Sequence, residues 1–326
     1  MKRLFLLAAL AATVACAGPA KKTAELDLYL EQFDAVKTAG ADIYLRASAI
    51  AEEKGGAKAE ERRSAFESRL QALRIIDKYN RVLVGVARGE DPKHLKSGMK
   101  DVGSKLSAYR PSAQTTFAFA AAVPYLGTLL SGAGLVSEAL AKRNFLKAVH
   151  AAQEPIAAIL DILLLDSEPL ETVLVQQVRK DQDPARAAVD SLGGRFYRKL
   201  KAVKPSPDLD AQVAAHNALR EGAGFAPVPH AAAPSAAAPG AADLEYLAVL
   251  TDQAAFNLQA FKRADGRAAA EAALFARYRA ALTAAKGALA ALDKNSEPER
   301  IAATEDFNGK AFGVRQESVK HREAMR

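Results

Sequence analysis

Cys16 is the only cysteine in a chain of 326 residues. A lone thiol cannot close a disulfide within the chain or build a cysteine zinc site. The five histidines, His94, His150, His216, His230 and His321, lie too far apart in sequence for the i, i+4 pair with which one helix face holds a metal. Each reads as a surface or half-buried residue. No HExxH run, no glycine-rich cradle ahead of a Lys-Ser or Lys-Thr pair and no GxSxG elbow occurs. Asp161 and Asp166 flank Ile162-Leu163-Leu164-Leu165, where burial would raise a carboxyl pKa. Helical geometry sets them about 140° apart, which makes a poor acid–base couple. Asp161 is expected to face solvent and Asp166 to lie near a helix end. Arg195, Arg198 and Lys199, around Phe196-Tyr197, form the best basic-aromatic cluster. It suits a phosphate or headgroup, and equally a set of side chains snorkelling over a packed helix. The sequence thus offers no catalytic, cofactor-binding or metal-binding residue, and predicts a non-enzyme without cofactors.

The chemistry that remains for Cys16 comes from what precedes it. Lys2 and Arg3 give a short positive head, Leu4 to Val14 is uncharged, and Ala15 is small. A basic start, an apolar run too short to span a bilayer and a small residue before the cut make a secretory signal. Thr13-Val14-Ala15-Cys16 resembles the lipobox of bacterial lipoproteins, with Thr13 standing where leucine is usual. The resemblance implies that residues 1–15 are a signal peptide and that Cys16 carries the lipid, palmitate included, as the first mature residue. Residues 16–23 then form the lipidated tether. Ala17 stands where aspartate is associated with inner-membrane retention, so the resemblance implies the outer membrane, facing the periplasm.

The elements that position everything else are helices. Half of the residues are hydrophobic, a quarter are charged, tryptophan is absent and aromatics make up 6%. Alanine and leucine favour helix, whereas pleated surfaces want aromatic and β-branched residues. From Leu26, the residues Tyr29, Phe33, Val36, Gly40, Ile43, Ala47 and Ile50 recur three and four apart, a heptad seam that ends at Gly55-Gly56. Phe66, Leu70, Leu73, Ile76 and Leu83 line a second helix ending near Gly89. Asp91-Pro92 opens a third, reaching Tyr109. Pro111 to Ser137 carries no charge, but alanine, glycine and Pro124 suit a buried kinked helix pair better than a membrane span. Glu138 to Leu165 resumes an amphipathic helix that Pro155 should bend or split. Ser167-Glu168-Pro169, Asp183-Pro184 and Ser206-Pro207 look like helix starts, and Gly193-Gly194 like a break.

Gly222 to Ala242 holds no charge and four prolines among alanines, the composition of an extended linker with nothing to bury. A second seam follows through Leu244, Leu247, Thr251, Ala254, Leu258 and Phe261. Asp265-Gly266 disturbs it, and it resumes at Phe275, Tyr278, Leu282, Ala285, Leu289 and Leu292. The expected architecture is all-α: a long-helix bundle over residues 24–221 with coiled-coil-like packing, a linker at 222–242, and a C-terminal helical hairpin with a basic tail over 243–326.

The formal charge of +7 is a mild excess among mixed charges, without the dense basic stripe that would suit nucleic acid. The expected function is that of a lipid-anchored, non-enzymatic helical envelope protein, a scaffold or partner-binding module. Its partners are the membrane, through the anchor, and an envelope protein or anionic headgroup. A membrane-active, pore-forming-like protein that inserts residues 111–137 is the alternative. An envelope enzyme with a site gathered from scattered residues is the third reading.

Overall fold

The computed structural model describes residues 19–55, 59–88, 90–108, 138–180, 182–229, 236–291 and 297–326. Cys16, most of the tether, the uncharged stretch at 111–137 and His230 lie outside the described residues. Eight helices account for nearly all of the described residues: α1 Pro19–Lys54, α2 Ala59–Arg88, α3 Pro92–Ala108, α4 Glu138–Arg179, α5 Gln182–Leu200, α6 Pro207–Gly222, α7 Ala241–Ala291 and α8 Glu297–Ala324. No strand occurs among the described residues, so the protein is all-α. The chain divides into two compact units, the first made of Met1–Val173 with Ala273–Arg322, the second of Leu174–Ala272 with Glu323–Arg326.

In the first unit, α1 starts at Pro19, inside the expected tether, because proline suits the first turn where its missing N–H is not needed. Its seam is buried as the spacing predicts, with Phe33, Val36, Ile43 and Ala47 inside. Gln32, Ala39, Tyr44 and Ala51 are buried as well. That face is wider than a two-stranded seam, because α1 meets more than one neighbour. Tyr29 and Phe33 pack on Phe307 of α8, with ring centroids 5.1 and 6.3 Å away. Tyr44 lies 6.3 Å from Phe66 of α2. The Tyr29 hydroxyl donates to Asn80 Oδ1 at 3.2 Å, and burial pushes its pKa up. At Gly40 the approach is closest. A β-carbon there would sit 2.5 Å from the Tyr278 hydroxyl and 2.9 Å from Leu73 Cδ1.

α4 runs unbroken through Pro155 and Pro169, so Pro155, where a bend or a split is expected, does not split it, and the helix start expected at Pro169 is corrected. Each proline removes one hydrogen bond and crowds the preceding turn, at roughly 3 kcal/mol. Burial of Ile156, Ile159, Leu160, Ile162, Leu163 and Leu170 on one side of the helix offsets that cost. Leu165, whose carbonyl loses its donor at Pro169, is exposed, so water can serve the carbonyl. The Ser167 hydroxyl, buried, donates to the Leu164 carbonyl at 2.6 Å.

In the second unit, Ser206 caps α6 as its position predicts: its side chain accepts from the Leu209 N–H, with Pro207 in the first turn. α5, α6 and the first part of α7 enclose a core of Phe196, Leu200, Leu209, Val213, Leu247, Leu250 and Ala254. Gly193-Gly194 does not break α5. The guanidinium of Arg220 lies against Gly193, where an added β-carbon would be 1.7 Å from Nη1. From there Arg220 donates to the Ala226 carbonyl at 3.0 Å and to Asp190 Oδ1 at 3.2 Å.

The stretch expected as a linker with nothing to bury does have something to bury. Val228 enters the core of this unit, and Asn217 makes two bonds to its backbone, donating to the carbonyl and accepting from the N–H. Ala237 pairs with Val203 in an isolated β-bridge, and Ala236 is buried. Alanine and proline are small enough for the chain to lie against the helices, and neighbouring side chains supply the hydrogen bonds that it cannot make to itself. α7 runs straight through Asp265-Gly266. An exposed helical glycine costs only about 1 kcal/mol, less than the flanking buried residues contribute.

The contact at Gly40 leads to a prediction. The Tyr278 hydroxyl is buried without a hydrogen-bond partner among the described residues. Tyr278→Phe should therefore raise stability, by about 1 kcal/mol. Gly40→Ala should cost about 1–3 kcal/mol in the natural chain and less in the Tyr278→Phe background, because the hydroxyl is the nearest clash. Urea unfolding of the four variants measures the coupling, and strictly additive effects would contradict the close contact.

Candidate functional site

The sequence-predicted residues are dispersed. His94 is exposed, and His321 is buried in α8. Asp161 is bound by Lys286 of α7, and Asp166 by Arg69 of α2. Arg69 is almost wholly buried and Asp166 half-buried, so this pair is the better shielded of the two. Both carboxylates therefore hold helices together and face no common space. A third ion pair of this kind joins Arg279 to Glu171. Among the described residues no group of three or more His, Cys, Asp or Glu side chains could hold a metal ion.

The basic-aromatic cluster on α5 is divided between core and surface. Phe196 is fully buried and stacks on His216 of α6, with centroids 4.1 Å apart and planes 7° from parallel. Tyr197 packs against the same core, and Lys201 Nζ stands 4.4 Å from the centre of its ring. Lys199 bonds Asp243 at 2.5 Å. That hydrogen bond, with another from the Gly240 N–H, holds the Asp243 carboxyl below its usual range. Arg195 donates to the Tyr246 hydroxyl at 3.3 Å. Arg198 is exposed. Of the three cations, two thus tie α5 to α7.

The first unit also has a cleft of about 330 Å³, where α1 and α8 stand over Leu274 of α7. Glu31, Asp34 and Asp42 line one side, and Arg315 and Arg322 the other, above His321. Glu31 bonds Arg315 across it, while Asp34 and Asp42 bond Lys37 and Arg46 of their own helix. The cleft offers both signs of charge to a small polar ligand, at the lower end of ligand-pocket volumes. Its walls were visible in sequence only as spacings, Arg315 and Arg322 seven residues apart on one helix face. Nothing local announces that a helix starting near residue 297 meets one that starts near residue 19.

His216 is a titratable group that burial strongly perturbs. It is fully buried, and neither ring nitrogen has a hydrogen-bond partner among the described residues. Burial first, and then the charge of Arg220, lower its pKa from 6.5 to about 4. The folded protein keeps this ring neutral, whereas the unfolded chain protonates it near its ordinary pKa. The contribution to stability is therefore fully present above pH 6.5 and is lost as the pH falls from there towards 4. The expected loss over that window is about 2–3 kcal/mol. His216→Phe should keep the stack on Phe196 and flatten the dependence. Denaturant midpoints for both proteins between pH 7 and pH 4.5 provide the check, and equal slopes would count against it.

Compared with known proteins, the chain matches no family model, no curated protein and no solved structure.

Proposed function

We propose that the chain is a lipid-anchored helical protein of the bacterial envelope, a scaffold or partner-binding module and not an enzyme. The single observation that carries this reading is the run from Met1 to Cys16, with its basic head, uncharged middle and one cysteine after a small residue. The fate of the polar groups supports the second half. Asp161, Asp166, Arg195 and Lys199 are engaged in joining helices, and in the α1–α8 cleft Glu31 is paired with Arg315 while Asp34 and Asp42 are paired within α1. A catalytic group needs its lone pair or its proton free to meet a substrate. The outer helix faces supply what a binding module needs, with Leu45, Phe256, Phe312 and Val319 exposed. The membrane, an envelope protein and anionic headgroups are the partners that this placement favours.

Cell fractionation with metabolic labelling by a fatty-acid analogue tests the anchor. The natural chain should label and sediment with membranes, while Cys16→Ser should lose the label and become soluble. Equal labelling of the two would reject lipidation. Dye release from anionic liposomes by the soluble form would instead favour the membrane-active alternative, with residues 111–137 as the inserting segment.

A further inference from the structure

We infer that the stripe Lys93, Lys96 and Lys100 of α3 docks on the anionic headgroups of the bilayer beside the lipid anchor. The partner's identity rests on the anchored reading proposed above, whereas the stripe and its place in the fold do not. Leu95, Met99, Val102 and Leu106 of α3 are buried. Lys93, Lys96 and Lys100 recur three and four residues apart, on a flank about 120° round the helix from them. Lys100 is exposed, as are Ser97 and Ser104 beside the stripe. The 17 residues of α3 hold a single acid, Asp101, against the three stripe lysines and Lys105. Asp101 lies on the other flank, bonded to Lys78 of α2. Lys105 crowds that pair: burial first, and then the charge of Lys105, lower the Lys78 pKa. The Glu90 carboxylate lies back on α2, 2.8 Å from where a β-carbon on Gly85 would stand. Asp91, exposed just before α3, is offset in charge by exposed Arg88 at the end of α2.

The path from the anchor leads to this helix. Ala17 and Gly18 separate Cys16 from the start of α1 at Pro19, a reach of at most about 10 Å. Tyr29, about 15 Å along α1, bonds Asn80 of α2. Two residues further on, Val82 meets Gly98 of α3, where an added β-carbon would sit 2.9 Å from Val82 Cγ2. The lysine stripe therefore stands beside the part of α1 nearest the lipid. α1 has no such face of its own. Lys21 and Lys22 are balanced by Glu25 and Asp27. Between Leu28 and Glu53 its exposed charges are Glu31, Asp34, Asp42, Glu52 and Glu53, while Lys37 and Arg46 are half-buried. Anionic headgroups attract the α3 stripe and repel that side of α1.

The test uses the full chain carrying Cys16→Ser, so that its outcome does not depend on lipidation. Vesicles are made of neutral phosphatidylcholine, or of that lipid mixed with anionic phosphatidylglycerol. At low salt the protein should sediment with the anionic vesicles alone and be released as salt is raised. Lys93→Gln, Lys96→Gln and Lys100→Gln together should weaken binding about a hundredfold. Arg198→Gln, Lys201→Gln and Lys204→Gln remove as much charge from exposed positions of the second unit and should weaken it far less. A dye on Ser97→Cys should be shielded from an aqueous quencher by anionic vesicles. One on Ala49→Cys, exposed about 45 Å along α1, should not. The dyes report on chains that keep their lysines, so they decide the matter even if the triple variant misfolds. No binding to anionic vesicles, equal losses in the two triple variants, or equal shielding at positions 97 and 49 would overturn the docking. So would binding to soluble polyphosphate as tight as to the vesicles, which would assign the stripe to a soluble polyanion. A natural chain that takes up no fatty-acid label, beside a Cys16→Ser chain that binds vesicles through the stripe, would reject the anchor and support the headgroup site.

Discussion

Where α1 passes Tyr278 there is room for a hydrogen atom and for nothing larger. A side chain at position 40 would meet the hydroxyl at 2.5 Å and Leu73 at 2.9 Å, so the first unit depends on a glycine in the middle of a long helix. The cost of a helical glycine, roughly 1 kcal/mol, is repaid by contact on both sides. Tyr278, Leu73, Ile43 and Tyr44 are all nearly inaccessible to solvent. With one cysteine in the chain, no disulfide can hold this arrangement in place of packing. Close-packed interiors respond to a change of a single methyl group, and this contact is where the first unit has least slack.

Polar groups then select among the ways in which such helices could pack. Apolar faces made largely of alanine and leucine can slide by a turn at little cost. Arg69, buried on α2, needs an anionic neighbour, and Asp166 supplies one. Gln153, also buried, donates to the carbonyl of Leu289 at 2.7 Å. Neither bond adds much net stability, because both groups gave up water to make it. A slipped register would leave a charge or an amide buried and unpaired, and that penalty fixes the alignment. His216 is the counter-example, buried on the flat of its ring against Phe196 and stable there only while neutral.

Much of this was legible in the sequence, and the exceptions share a cause. The seam from Tyr29 to Ala47, the start at Asp91-Pro92 and the cap at Ser206 are local statements, in which residues a few positions apart determine what the backbone does. Pro155, Pro169, Gly193 and Val228 were misread because their meaning comes from far along the chain. A proline reads as a break until the apolar face that outweighs it is known. Gly193-Gly194 reads as a weak point until Arg220, from the next helix, is seen to need the space. The linker reads as empty until Asn217 is found bonded to both backbone groups of Val228. The site was less legible than the fold. Asp161 and Asp166 attracted attention as carboxylates among leucines, and the cations that claim them, Lys286 and Arg69, lie more than ninety residues away.

α7 shows why an exposed apolar face is harder to read than a core. It carries two stripes with nearly the same spacing, Leu247-Leu250-Ala254-Leu258 facing in and Tyr246-Val249-Phe256-Ala260 facing out. Periodicity alone ranks them only weakly, since large apolar residues occur in both. Three-dimensional packing decides, because α5 and α6 can cover only one side of the helix. The side left over keeps a ring as large as Phe256 in contact with water. That area is exposed in the unfolded chain as well, so it adds nothing to the stability of the isolated chain and would contribute only if another apolar surface covered it. A helix whose inner face is covered and whose outer face is not keeps apolar area that contributes free energy only to an association that buries it.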